Sequence, residues 1–145
     1  MIDYAHTKES LENILKTVKI YTRGEVICVL GCGGNRDNTK RPLMGEVSGR
    51  IADFTIITTD NAREEKPEDI AKEIEKGIKK TKGKYQVILD RKEAIKEAIK
   101  MANKIDIVVI AGKGHEMYQE VNGKKTPFDE RKIVREIIDE IKPKK

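Results

Sequence analysis

The sequence predicts an α/β fold: a doubly wound, mostly parallel sheet with a β-hairpin near the C-terminal end. Three observations carry this. Four short apolar runs, at residues 26–30, 54–59, 85–89 and 107–111, are rich in β-branched types and too short for globular helices, which is how buried strands read. Between them lie stretches whose apolar residues recur every 3.6 residues. Asn122-Gly123 then supplies a two-residue hairpin turn. Strands alternating with helices through short connections call for parallel pairing. The 145 residues carry no composition break, repeat or low-complexity tract. Residues 1–145 therefore form one domain, long enough to bury roughly two thirds of its unfolded surface.

Residues 1–7 have no helical period and read as a loop. Thr7 or Ser10 caps a helix with Leu11, Ile14, Leu15 and Val18 on one face, and Gly24 closes that unit. Five consecutive apolar residues from Val26 to Leu30 imply a strand buried on both faces. Gly31, Gly33 and Gly34 end it in a turn that can take positive φ and present successive backbone N–H groups. Pro42 suits the first turn of the next helix, 41–52, because its missing N–H is an orphan there. Leu43, Val47 and Ile51 are expected on the buried face, and Gly45 and Gly49 to let the helix approach the sheet.

Strand 54–59 stops at Asp60-Asn61-Ala62-Arg63. Pro67 opens a helix with Ile70, Ile74 and Ile78 on one stripe, Gly83 ends it, and strand 85–89 follows. Helix 91–103 packs through Ile95, Ala98, Ile99 and Ala102, and the fourth strand runs into Gly112-Lys113-Gly114-His115-Glu116. Residues 117–128 form the hairpin. The last helix, 129–142, packs through Ile133, Val134, Ile137, Ile138 and Ile141, with acids at its start and lysines at its end as the helix dipole prefers.

Charged residues make up 38% of the chain and nearly balance at net +5, spread over helix faces rather than gathered in a tail. Two Phe, four Tyr and no Trp give no stacking platform, so no nucleic-acid partner is expected. No apolar run reaches spanning length and residues 1–25 lack a signal-peptide core, so a cytoplasmic protein without a membrane partner is expected. Cys28 and Cys32 lie far in sequence from His6 and His115. They read as two reduced, buried thiols, and no metal site is expected.

In an open parallel sheet the ligand crevice lies outside the carboxyl ends of the strands. Three strands end there in the loops 31–41, 60–63 and 112–116. These offer Arg36, Lys40, Arg41, Arg63 and Lys113 as cations, Asp60 and Glu116 as anions, and Asn61 as a neutral bidentate group. Both signs of charge suit a zwitterion such as an amino acid, with guanidinium for carboxylate and carboxylate for ammonium. The residues alone leave plainer readings open. Arg36 stands where the third glycine of a dinucleotide fingerprint belongs, and the glycine turn serves equally as a structural strand-to-helix connection. Arg63, followed by Glu64 and Glu65, serves equally as a solvated loop charge; Asp60 and Asn61 serve as turn formers, and His115 as a satisfied loop histidine. Neither a Ser-His-Asp or Cys-His set nor a Gly-x-x-x-x-Gly-Lys-[Ser/Thr] phosphate loop occurs, so no catalytic residue is assigned.

The same loops carry a resemblance. Asp3-Tyr4-Ala5-His6-Thr7, Gly31-Cys32-Gly33-Gly34-Asn35-Arg36-Asp37 with Lys40-Arg41-Pro42-Leu43-Met44-Gly45, Asp60-Asn61-Ala62-Arg63 and Ala111-Gly112-Lys113-Gly114-His115-Glu116 stand in the order and approximate spacing of one family. Over essentially its whole length the chain resembles the C-terminal, Rossmann-like domain of the UDP-N-acetylmuramoyl-tripeptide ligases (MurE) of the Mur ligase family. The resemblance implies one part of a three-domain enzyme. There the central domain holds the ATP phosphate loop, and the C-terminal domain closes over it with the third amino acid of the peptidoglycan stem. ATP phosphorylates the terminal carboxylate of UDP-MurNAc-L-Ala-D-Glu, and the amine of the incoming amino acid attacks the acyl phosphate. By motif, Arg36, Asn61, Arg63, Gly112 and Glu116 match the positions that hold that amino acid, and Asp60 the acid beside them. Asp3, Tyr4 and His6 match the loop that faces the nucleotide on closure. The Asp-Asn-Pro-Arg motif is associated with meso-diaminopimelate, whose extra carboxylate a guanidinium can bind.

Two departures stand out: Ala62 replaces the motif's proline, removing a φ lock, and Lys8 replaces another in the opening motif. The central ATPase and N-terminal UDP-binding domains are absent from the 145 residues. The expectation is therefore an excised domain that folds alone as a monomer, binds no cofactor by itself and is catalytically incompetent. ATP and Mg would serve the complete ligase, and the missing domains would bring ATP and the UDP-MurNAc-dipeptide. The competing expectation is a standalone, non-catalytic α/β module for a phosphate-containing or nucleotide ligand.

Overall fold

The computed structural model describes residues 2–3, 8–32, 40–58, 65–103, 105–111, 118–121, 124–127, 135–136 and 138. Its elements are β1 (Ile2–Asp3), α1 (Lys8–Tyr21), β2 (Val26–Leu30), α2 (Lys40–Ile51), β3 (Phe54–Ile57), α3 (Pro67–Ile78), β4 (Lys84–Val87), α4 (Arg91–Met101), β5 (Ile107–Ala111), β6 (Tyr118–Val121) and β7 (Lys124–Pro127). The first five strands pair in parallel in the order β1-β5-β2-β3-β4. β6 and β7 form a separate antiparallel pair with Val121 opposite Lys124, the hairpin expected around Asn122-Gly123.

β2 is central and fully buried, as its unbroken apolar run requires. Its side chains alternate. Val26, Cys28 and Leu30 join Leu11, Leu15 and Val18 of α1, Met44 and Val47 of α2, and Ile70, Ala71, Ile74 and Ile78 of α3. Ile27 and Val29 face the other way, with Ile56, Ile110 and Ala94, Ile95 and Ala98 of α4. Helices thus cover both faces, and the doubly wound α/β expectation holds. At the amino ends of the strands two aspartates fasten the turns. Asp53 accepts the Val26 N–H at 2.7 Å and pairs with Lys19 at 2.7 Å. Asp106 accepts the N–H groups of Asn103 and Glu25, each at 2.8 Å, which hold its carboxyl below the usual range.

Several expectations need correction. Ile2–Asp3 is not loop but an edge strand parallel to β5; two residues carry no readable period. The sheet accordingly has five strands, not four. The third apolar run pairs over Lys84–Val87 rather than 85–89 and forms the other edge, with Val87 exposed. On α2, Leu43 is exposed while Arg41, Met44, Val47 and Ser48 are buried, because α2 lies between α1 and α3 and is covered on more than its sheet side. Gly45 and Gly49 serve α3, not the sheet. A Cβ on Gly45 would overlap the Ile74 carbonyl oxygen, one on Gly49 would meet Thr81 and Ile78, and one on Gly77 would overlap the Pro42 carbonyl oxygen. Of the expected last helix only residues 135, 136 and 138 are described; all are helical, and Ile138 is exposed rather than packed.

Candidate functional site

The sheet register sets the frame. Asp3 pairs with Ala111, Ala111 with Leu30, Leu30 with Ile57 and Ile57 with Val87, so these five residues make one row across the sheet. From that row, at the carboxyl ends of four adjacent strands, leave the segments carrying the candidate residues. Strand order reverses between β2 and β5, which puts their carboxyl ends, Leu30 and Ala111, on either side of the topological switch point, where open α/β sheets take ligands. Asp3 itself lies in β1. Tyr4, His6, Arg36, Asp60, Asn61, Arg63, Gly112 and Glu116, with Lys113 and His115, lie outside the described residues.

What is described is the frame beneath them. Thr58 continues β3 past the row: its N–H donates to the Leu30 carbonyl at 2.9 Å and its hydroxyl to the Leu89 carbonyl at 3.3 Å. Arg41, expected among the ligand cations, is instead committed to the protein. It is 1% exposed. Nη1 and Nη2 each reach Glu65 at 2.9 Å as a fork, and Nη1 reaches Glu73 at 2.6 Å. These carboxylates, Glu65 foremost, raise the guanidinium's proton affinity. The α2 start is thereby bound to the stretch just before α3 and to the second turn of α3.

The other buried arginine was not singled out from sequence. Arg91, in the first turn of α4, is 1% exposed and donates from Nη2 to the Ala111 carbonyl at 3.3 Å, one residue before Gly112. The available signal was phase, because Arg91 falls on the stripe of Ile95 and Ala98. Asp90 caps that helix by accepting the Glu93 N–H at 3.1 Å.

Cys28 and Cys32 are both buried, as expected. Burial pushes the Cys28 thiol up to about 11, against a hydrogen bond with Ser48 and the nearby Arg91 charge. Such a thiol is inert at neutral pH. Among the described residues no three His, Cys, Asp or Glu side chains gather as a metal set, and no helix is long and apolar enough to cross a membrane. A cavity of about 860 Å³ lies at the opposite, amino end of the sheet, between Glu46, Arg50, Asp53, Lys80 and Lys82. It is remote from the loop row, and its Asp53 is already paired with Lys19.

Known proteins share this frame. The family model described as Mur ligase, glutamate ligase domain matches residues 1–114. The chain is 55% identical over 139 residues to the UDP-N-acetylmuramoyl-L-alanyl-D-glutamate--2,6-diaminopimelate ligase of Caldanaerobacter subterraneus subsp. tengcongensis, covering 96% of this chain and 29% of that protein. It is 50% identical over 141 residues to ligase 1 of the same name from Clostridium acetobutylicum, covering 97% and 29%. A solved structure of a UDP-N-acetylmuramoyl-L-alanyl-D-glutamate--2,6-diaminopimelate ligase superposes with a TM-score of 0.90 at 46% identity, over 96% of this chain and 28% of the other. The chain thus spans under a third of the length of these relatives. A parallel sheet with this loop row, matched by the family model over most of its length, makes the chain a member of the Mur ligase C-terminal domain family.

Proposed function

We propose that this chain is the amino-acid-binding domain of an ATP-dependent ligase that adds meso-diaminopimelate to UDP-MurNAc-L-Ala-D-Glu in peptidoglycan synthesis. The observation that carries the reading is the single row from which all four motif segments depart. The similarity to diaminopimelate ligases supports the choice of ligand. In this reading Arg36 and Arg63 take carboxylates, Asn61 and Gly112 supply neutral hydrogen bonds, and Glu116 with Asp60 takes an ammonium group. Asp3, Tyr4 and His6 face a nucleotide whose phosphates are held by another domain. The chain's own residues do not fit Mg-ATP: the phosphate loop is missing from the sequence, and Lys113 lacks the glycine cradle and hydroxyl. No step through ATP or Mg is assigned to them, and the purified chain should show no ATP turnover with any amino acid.

Amide-shift titrations with meso-diaminopimelate, L-lysine, ATP and a UDP-sugar in parallel test the reading. Diaminopimelate should bind better than lysine, with an affinity on the order of millimolar for the 145 residues alone, where the site stays open to water. Arg63→Ala should weaken diaminopimelate several-fold and leave lysine nearly unchanged, with Arg63→Lys rescuing only part, since a point charge cannot reproduce the fork. Equal loss of both ligands would make Arg63 a loop-shaping residue. Shifts with the phosphate compounds alone would favour the module reading.

A further inference from the structure

We propose that Arg41 is a positioning residue for amino-acid selectivity, fixing through Glu65 the loop that carries Asn61 and Arg63. This rests on the reading of that loop given above. Two carboxylates share the Arg41 guanidinium, and they stand in different places. Glu73 belongs to α3, which the Gly45 and Gly77 contacts already lock against α2. Glu65 precedes α3 at a bend, followed by the extended N-cap Lys66, which makes no side-chain cap. It follows Arg63 by two residues. Its fork to Nη1 and Nη2, both at 2.9 Å, is the planar geometry that resists rotation as well as separation. At the other end of the loop, Thr58 is held by Leu30 and Leu89. Residues 59–64 therefore run between two fastened points. A segment fastened on both sides has fewer conformations to lose when a ligand arrives. The sheet supplies one anchor and Arg41 the other. Glu73 keeps the guanidinium compensated but has no part in the loop.

Glu65→Gln and Glu73→Gln separate the two roles, because a merely structural arginine would make them equivalent. Both should lower the thermal midpoint modestly. Only Glu65→Gln should reduce the preference for meso-diaminopimelate over L-lysine, by about fivefold, the size of one partly solvated charge contact, with lysine binding unchanged. Amide hydrogen exchange at residues 60–63 of the ligand-free chain gives a second readout: faster in Glu65→Gln, unaltered in Glu73→Gln. Arg41→Lys should behave as Glu65→Gln, keeping charge without the fork. An unchanged preference in Glu65→Gln, or an equal loss in both variants, would overturn the proposal while leaving the diaminopimelate reading intact. A parent chain with no preference for diaminopimelate would overturn that reading, and the selectivity role with it.

Discussion

The two faces of the sheet are covered by different means. On one, α1, α2 and α3 form a layer in which α2 and α3 approach closely at the Ile74 carbonyl through Gly45 and at the Pro42 carbonyl through Gly77. That face also holds the Cys28 thiol, the Ser48–Thr55 hydroxyl pair at 2.6 Å and the Arg41 guanidinium. On the other, α4 packs Ala94, Ile95 and Ala98 onto Ile27, Val29, Ile56 and Ile110. Both faces bury apolar side chains; the first adds close glycine contacts and satisfied polar groups to the larger apolar cluster. An added atom is therefore expected to do most damage where the glycines of the first face sit, and a removed one to damage the second.

The largest expected effect probes the glycine contacts. Gly77→Ala drives a methyl into the Pro42 carbonyl oxygen, where both neighbours are backbone and neither can rotate away. A loss of about 4 kcal/mol is expected, above the usual cost of overpacking and against a helix-propensity gain of at most about 1 kcal/mol. Urea unfolding would measure it. A near-neutral result would mean that the helices slide freely and that the contrast between the faces is false.

Next comes Ile95→Ala on α4, fully buried, with an expected loss of roughly 3 kcal/mol from transfer and residual cavity. A loss exceeding that of Gly77→Ala would reverse the ranking. The smallest effect concerns pH. The folded chain holds the Cys28 proton more tightly than an ordinary thiol, up to about 11 from 9.0. Its contribution to stability is therefore complete below pH 9 and drains away as pH rises toward 11, by on the order of 2 kcal/mol. Urea midpoints at pH 8 and 10.5 should fall less in Cys28→Ala than in the parent chain.

Apolar patterning is a strong signal: it placed β2 and β5 and, to within two residues, α4, while the Asn122-Gly123 turn placed the hairpin and α3 ends at Ile78 rather than at Gly83. It failed where burial is not apolar. Leu43 looked internal because it is a leucine, yet the turn of α2 it shares is buried through Arg41 and the glycines. β1 was invisible because its pairing is decided by β5, 108 residues further along the chain, rather than by Ile2 and Asp3 themselves. The loop row was legible as a common edge, since parallel strands must end together. The division of labour between its arginines was not. Arg41 and Arg63 are alike as letters, and only the position of Glu65 and Glu73 assigns Arg41 to the frame.

The keyed contacts of α2 also restrict how the chain can change in length. Arg41, Gly45 and Gly49 stand four residues apart, one turn after another. One residue inserted between Arg41 and Gly45 would rotate one part of the helix against the other by about 100°. Either the guanidinium would leave Glu65 or a side chain would meet the Ile74 carbonyl. Residues 41–49 therefore behave as a segment of fixed phase. Single-residue additions and deletions are expected to be excluded from it.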